Sequence, residues 1–250
     1  MSLYELLPIA SIVIQALLII HVIKTGRNTI WIWVIALLSF AGILAYVAVE
    51  LIPDLLGSRA AQATRRGVKQ ALDPTAQLRK YEAEAEATAN VASNQRYAEE
   101  LLKHERFEEA IKIYRRVLTG LYEHDPNLML GLARAQFGSG AAAAARATLE
   151  ELTHNNPGFN HPDAKLLYAR ALAAEGQADR ALEEYRALAP AYPGAEAAVR
   201  YAQLLQSKGQ EQEAAGVVRE LLERARIAPE HYRRTQRAWL DTAAKITRGR

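Results

Sequence analysis

The sequence predicts an all-α protein with two membrane-spanning helices at the N-terminus, followed by a solenoid of about four helical hairpins and a capping helix. Three observations support this prediction. Runs without a charged residue occupy residues 6–23 and 30–49, and after Asp54 the composition shifts to Ala, Glu, Arg, Gln and Leu, which are common in helices. In that second region, small residues recur with a period typical of stacked helical repeats.

The composition also limits the possible functions. The chain has 250 residues, no Cys and a formal net charge of +3. Without Cys there can be no disulfide, thiolate metal site or cysteine nucleophile. The small net charge gives no indication of a nucleic-acid partner.

The first part, residues 1–53, is predicted to form a transmembrane helical hairpin. Each uncharged run is about as long as the roughly 20 residues that a helix needs to cross a bilayer core. The link at residues 24–29 is long enough only for a tight turn. Aromatic residues suited to the membrane interface flank the runs, with Trp31 and Trp33 at the turn and Tyr4 and Tyr46 at the opposite face. A buried helix pair or a cleaved signal peptide fits less well, because two such runs follow each other and no Lys or Arg precedes the first.

The basic residues beside these spans predict the orientation. Lys24 and Arg27 lie in the turn, and four basic residues follow the second span: Arg59, Arg65, Arg66 and Lys69. Loops rich in Lys and Arg tend to stay in the cytoplasm. We therefore expect the soluble region and the N-terminus to face the cytoplasm.

Residues 27–46 support this expectation through a resemblance. The segment, RNTIWIWVIALLSFAGILAY, begins with a basic residue and two Trp and ends with Gly and Tyr. It resembles the paired-helix N-terminal module of bacterial cardiolipin synthases and related phospholipase D proteins. The resemblance implies an anchor in the bacterial inner membrane. It implies no synthase activity, because the His-x-Lys catalytic pattern of that superfamily is absent.

Residues 54–90 are predicted to be a basic helical linker. On a helix, Arg59, Arg65, Arg66 and Lys69 share about a third of the circumference, and such a face beside a membrane attracts anionic lipid headgroups. An ordinary solvated face that only enforces orientation is the alternative, and the sequence leaves both open. Asp73 and Pro74 suit the start of a further helix, which extends to about Thr88.

Residues 91–226 contain an internal repeat. Its frame is marked by an Ala near the start of each unit, a turn, a second Ala, an aromatic or aliphatic residue and often a final Pro. The second Ala occurs at positions 110, 145, 181 and 214, so successive units are 35, 36 and 33 residues apart. We divide the region into units at about 91–125, 126–161, 162–194 and 195–226.

This frame resembles the tetratricopeptide repeat, whose period is about 34 residues and whose small residues lie where paired helices cross. The resemblance implies a right-handed α-solenoid. The first unit departs from it, with Glu105 where Gly is usual and extra residues at 120–125. Residues 227–250 are predicted to form a capping helix with Tyr232, Trp239 and Ile246 on one stripe. A nucleic-acid site on the arginines around that stripe is the less favoured alternative.

No pattern of catalytic residues occurs in the chain. The six His residues have no metal-ligand spacing with one another or with carboxylates, and no phosphate loop or nucleophile elbow is present. The repeated Glu pairs fall on the outer face of the second helices, where solvated charge is ordinary. We therefore expect no enzyme activity, no cofactor and no metal site.

The remaining candidate is a partner-binding groove. In tetratricopeptide proteins the first helix of each repeat lines the concave face, and here that resemblance places six residues in the groove: Leu130, Arg134, Leu166, Arg170, Val199 and Gln203. The two arginines occupy equivalent positions in adjacent repeats, so we expect a peptide with acidic and apolar side chains. The alternative is that both arginines only pair with nearby Glu.

These observations predict a membrane-anchored adaptor that recruits a protein or peptide partner to the bacterial inner membrane, with anionic lipid as a second partner and no nucleic acid. Two alternatives remain open. The same architecture could face the periplasm and serve envelope assembly, or the chain could be an accessory subunit of a phospholipid-synthesising enzyme.

Overall fold

The computed structural model describes residues 15–24, 32, 73 and 75–248. Its contacts divide the chain into two compact units, Met1–Ala76 and Gln77–Arg250. The remaining parts of the predicted spans and the linker arginines lie outside the described residues.

In the first unit, residues 15–24 are helical. Val22 is buried against Leu18, Ile19 and Ile32, and three apolar side chains of this segment are exposed: Leu17, Ile20 and Ile23. Within the described parts of the chain, no helix is both long enough and apolar enough to cross a membrane.

The second unit, as described, contains eleven α-helices. They are α1 (Ala76–Thr88), α2 (Val91–Lys103), α3 (Phe107–Val117), α4 (Pro126–Gly138), α5 (Ala142–Asn155), α6 (Pro162–Ala174), α7 (Ala178–Leu188), α8 (Glu196–Ser207), α9 (Glu211–Ile227), α10 (Glu230–Thr235) and α11 (Arg237–Arg248). A single 3-10 turn, Gly120–Tyr122, lies between α3 and α4. From α2 to α9, each helix packs against the next along the chain. The repeat region is therefore an all-α solenoid of four hairpins.

The first helices of the first three repeats, α2, α4 and α6, begin where the sequence supplies a side-chain cap. The Asp125 carboxylate accepts hydrogen bonds from the backbone N–H of Asn127 and Leu128, and Pro126 occupies the first turn of α4. Asn90 caps α2 through Ser93 N–H, and the His161 ring accepts from Asp163 N–H at the start of α6. These caps satisfy donors that an α-helix leaves unpaired at its N-terminus.

Alanines form the crossing points of the hairpins. The eight alanines of the repeat frame are all 0% exposed: Ala98, Ala133, Ala169 and Ala202 on the first helices, and Ala110, Ala145, Ala181 and Ala214 on the second helices. A methyl side chain lets two helix backbones approach closely at a crossing. Larger residues, among them Tyr114 and Tyr185, fill the space beside the crossings and are buried.

The turn inside each hairpin uses one backbone geometry four times. In every repeat an N–H bonds to the carbonyl five residues earlier at 2.9 Å, from Arg106, Ala141, Gln177 and Gln210. The residue before each donor has a positive φ, which is +86° at Gly140, +77° at Gly176 and +76° at Gly209. In the first repeat this residue is Glu105, with φ +57°. The turn therefore imposes on a glutamate a conformation that favours glycine.

Replacing Glu105 by Gly is expected to raise the free energy of unfolding by about 0.5–1 kcal/mol. The left-handed conformation costs a non-glycine residue about 1–2 kcal/mol, and the greater freedom of Gly in the unfolded chain offsets part of the gain. Denaturant titration of Glu105→Gly measures the change. The matched control is Gly176→Ala, which should lower the stability by a similar amount. A Glu105→Gly protein no more stable than the wild type would contradict a strained turn.

The C-terminal cap differs from the prediction of one helix. It consists of two helices, α10 and α11, which meet at Gln236. The side-chain oxygen of Gln236 accepts a hydrogen bond from Ala195 N–H at 3.0 Å, which ties this junction to the start of α8. Helix α11 packs against α8 and α9, and Trp239, Leu240 and Ile246 lie against the core of the last two repeats.

Candidate partner-binding groove

The structure separates the six predicted groove residues into two groups. Arg134 and Gln203 are exposed and Arg170 is half-buried, so these three are available to a partner. Leu130, Leu166 and Val199 are only 4%, 4% and 0% exposed. The expectation that the groove exposes them is therefore wrong. They pack in the cores between successive helices, because each first helix is covered by its own hairpin partner and by the adjoining repeats.

A depression of about 430 Å³ lies beside the two arginines. Helices α4 and α6 form its walls, and residues that precede or begin α3 and α8 close its ends. Leu166 contributes to its lining although the side chain is almost fully buried. The lining residues are Phe107, Arg134, Phe137, Gly138, Asp163, Leu166, Leu167, Arg170, Tyr192 and Glu196.

Arg134 lies at the surface of this depression. Its Nη2 donates to Asp163 Oδ2 at 3.1 Å, and both side chains are about 45% exposed. The other oxygen of Asp163 accepts a hydrogen bond from the Tyr192 hydroxyl at 2.9 Å. Burial and this hydrogen bond raise the pKa of Tyr192 to about 12. An ion pair this exposed contributes little free energy, so a ligand can exchange with it.

Arg170 has a different environment. Its guanidinium carbon lies 4.7 Å from the centre of the Phe137 ring, a distance typical of a cation–π contact. Its Nη1 is 3.6 Å from Glu196 Oε1, and the same oxygen accepts a 2.7 Å hydrogen bond from Arg200 Nε. The Nε of Arg170 is buried and has no hydrogen-bond partner. Burial and the nearby charge of Arg200 lower the pKa of Arg170 below its ordinary value.

Two guanidinium groups therefore share one carboxylate at this end of the depression. Arg200 is held in place by Glu196 on one side and by the Trp239 ring, 5.1 Å away, on the other. The first repeat differs, because the position equivalent to Arg134 and Arg170 is Glu99, whose carboxylate accepts from Gln95. The side chains at this position thus change from acidic in the first repeat to basic in the second and third.

The alternative suggested by the sequence was that both arginines only pair with nearby Glu; in the structure Arg170 lies beside Glu196, whereas Arg134 pairs with Asp163. The carboxylates that pair with them lie one repeat further along, in the first turns of α6 and α8. Sequence reasoning missed Asp163, Glu196, Phe137 and Tyr192. Asp163 and Glu196 could have been found from the repeat frame. One position of that frame holds a polar residue in three successive repeats: Asn127, Asp163 and Glu196. No group of three or more His, Asp or Glu side chains suited to a metal occurs among the described residues.

Comparisons with known proteins agree with this architecture. The family model described as Tetratricopeptide repeat matches residues 101–159. The repeat region has the tetratricopeptide fold. The crystal structure of MamA is 20% identical with a TM-score of 0.51, covering 60% of this chain and 86% of that one.

A thermophilic tetratricopeptide protein of Thermus thermophilus is 18% identical with a TM-score of 0.51, covering 68% of this chain and 87% of that one. No curated protein matches the sequence. The family match lies in the repeats, so the resemblance of residues 27–46 to the cardiolipin synthase module stays a prediction.

Proposed function

We propose that the protein is a membrane-anchored adaptor whose tetratricopeptide groove binds an acidic segment of a partner protein. Proteins with this fold generally act as non-enzymatic scaffolds for protein–protein interactions. Different observations support the acidic partner and the membrane anchor.

The observation that carries the acidic partner is the incomplete pairing of Arg170. The Nη1 of Arg170 is 3.6 Å from Glu196 Oε1, too far for a hydrogen bond, so a ligand carboxylate at the accessible end of the guanidinium would supply bonds that the described residues do not. The guanidinium is already oriented by the Phe137 ring, and it competes with Arg200 for the single carboxylate of Glu196. A carboxylate from a partner would neutralise the excess charge and form charge-assisted hydrogen bonds.

The walls of the depression also offer apolar contacts to a bound segment. Phe107 and Phe137 are half-buried, and Leu166 and Leu167 line the same space. Interface hot spots commonly combine such a partly desolvated arginine with aromatic neighbours. We therefore propose that the bound segment places an Asp or Glu against Arg170 and an apolar side chain against Phe137.

Selection of peptides from a random display library, with the full-length protein in nanodiscs as bait, tests this proposal. Peptides recovered by the wild type should be enriched in Asp and Glu beside an apolar residue. The Arg170→Gln protein should lose this enrichment. The matched control is Arg186→Gln, which removes an exposed arginine that pairs with Glu213 on a second helix and should leave the selection unchanged. Enrichment of basic or purely apolar peptides would contradict the proposal.

The membrane part of the proposal rests on residues 1–53. Two uncharged runs precede the repeats, and the described segment 15–24 is helical with an apolar exposed face. We propose an anchor in the bacterial inner membrane with the repeats in the cytoplasm. In this arrangement Arg59, Arg65, Arg66 and Lys69 would contact anionic headgroups.

Removal of residues 1–53 is expected to move the protein from the membrane fraction to the soluble fraction without loss of the helices of the repeat region. Each repeat buries its apolar face on its neighbours, and Gln77–Arg250 is compact. Fractionation and circular dichroism measure the two effects. For orientation, alkaline phosphatase fused to the C-terminus of the full chain should be inactive. A truncated chain that needs detergent, or an active fusion, would refute the corresponding part of the proposal.

A further inference from the structure

The connection between the first and second repeats exposes an apolar tip. Residues 118–125 connect α3 to α4, and the 3-10 turn Gly120–Tyr122 lies within them. The Leu121 side chain is 100% exposed and that of Tyr122 is 45% exposed. All of residues 119–123 are exposed, so the tip is convex and no socket surrounds it.

Hydrogen bonds hold this tip in one conformation. Tyr122 N–H bonds to Thr119 O at 3.1 Å, and Asp125 N–H bonds to Tyr122 O at 3.0 Å. The Asn156 amide donates to His124 O at 3.0 Å and ties the end of the connection to the turn after α5. These bonds fix the backbone of the connection on a path along which the Leu121 side chain is fully exposed.

Three basic residues lie in the last two turns of α3, just before the tip in the chain. Lys112, Arg115 and Arg116 are exposed, and the two arginines follow Lys112 by three and four residues, so both are its neighbours on the helix surface. Arg115 and Arg116 have no ion pair with any described residue. Lys112 lies near Glu109, whose carboxylate is paired with Arg106. The acidic residues of the same region, Glu108 and Glu123, are exposed and have no ion pair with these cations among the described residues.

We infer that this surface, the α3 cations with Leu121 and Tyr122, docks on an anionic lipid bilayer. A convex tip of Leu and Tyr suits the headgroup boundary, where apolar side chains insert and tyrosine is enriched at the interface. Unpaired arginines beside the tip complement lipid phosphates. A protein partner would gain little from a convex tip of two side chains, because interface anchors usually fill pockets.

This inference rests on the proposed membrane anchor, which would keep the tip at a high effective concentration near the bilayer. Docking at the connection between the first two repeats would leave the depression between α4 and α6 free for a partner. The two surfaces share no residue. Lipid contact and peptide binding are therefore independent properties of one solenoid.

The test uses the absence of Cys from the chain. A single cysteine, introduced as Leu121→Cys in the full-length protein, is labelled with an environment-sensitive fluorophore. The protein is reconstituted with vesicles of phosphatidylcholine alone or with phosphatidylglycerol added. We expect a blue shift of the emission with the anionic vesicles and a much smaller shift with the neutral ones. A label at the exposed groove position, introduced as Gln203→Cys, is the matched control and should stay in water with both.

The charge dependence is the second measurement. Adding Arg115→Gln and Arg116→Gln to the labelled protein should abolish the blue shift. Raising the salt from about 0.1 M to about 1 M should reduce it, because the screening length falls from about 10 Å to about 3 Å. The matched double substitution on α9, Arg219→Gln with Arg226→Gln, should leave the shift in place.

The outcomes separate this inference from the anchor on which it rests. A chain that floats with the vesicles while its label at position 121 stays in water overturns the tip contact and leaves the anchor standing. A chain that does not float overturns both. Shielding of the label only in native membranes that contain other proteins would identify a protein interface and overturn the lipid assignment.

Discussion

Replacing Ala181 by leucine is expected to lower the free energy of unfolding of the repeat region by about 1–3 kcal/mol. Ala181 is 0% exposed at the point where α7 packs against α6, inside the core cluster of the third and fourth repeats. Three additional carbon atoms have no space there, so the two helices must move apart or nearby side chains must leave their preferred rotamers. Because each repeat is packed on its neighbours, the loss should spread to the fourth repeat.

Denaturant titration followed by helical circular dichroism measures this change. The matched control is Ala187→Leu, the same substitution in the same helix at an exposed position. Alanine and leucine have similar helix propensities, so the control should stay within about 0.5 kcal/mol of the wild type. Equal stability of the two variants would show that position 181 is not a tight helix crossing.

Reversing the charge of both groove arginines, in the double variant Arg134→Glu with Arg170→Glu, is expected to weaken binding of the selected acidic peptides by about 100-fold or more. A charge-assisted hydrogen bond contributes about 1.5–3 kcal/mol, and each factor of ten in affinity corresponds to about 1.4 kcal/mol. The new carboxylates would also repel Asp163 and Glu196, which now face the arginines. Isothermal calorimetry measures the affinity.

A second variant, which is expected to strengthen peptide binding, separates an effect on binding from an effect on folding. Arg170 is half-buried against Phe137, so its reversal also lowers stability, and a loss of binding alone would be ambiguous. Asp163→Asn removes the carboxylate that competes for Arg134 and keeps the size of the side chain. It should strengthen binding of the same peptides severalfold. Unchanged affinity in both the double variant and Asp163→Asn would place the binding site elsewhere on the solenoid.

Several elements of the repeat region could be predicted because their causes are local in the chain. Asp125 with Pro126 marks the start of α4 through a side-chain cap and a proline at the first position. Gly140, Gly176 and Gly209 mark the hairpin turns, because few other residues adopt a positive φ at low cost. The spacing of the small alanines predicts a solenoid, since the same crossing must recur whenever one hairpin stacks on another.

Three of the six residues predicted to be exposed in the groove are buried, and this error has a physical cause. Arg134 and Arg170 occupy equivalent positions in adjacent repeats, and in the structure both line the same depression. The same frame placed Leu130, Leu166 and Val199 on the open surface, although they are buried. Those residues lie one turn before the exposed position, and how much of that turn the next repeat covers depends on the stacking of the repeats.

The sequence by itself determined the helical hairpins, their turns and the alanine crossings, because caps, backbone preferences and periodic burial act between residues that are near in the chain. Only the tertiary structure decided which groups surround the groove arginines. The contacts of Arg134 with Asp163 and of Arg170 with Phe137 and Glu196 span about one repeat. Their geometry depends on the rotation and offset between stacked hairpins, to which many weak packing contacts contribute, and no local pattern of residues encodes it.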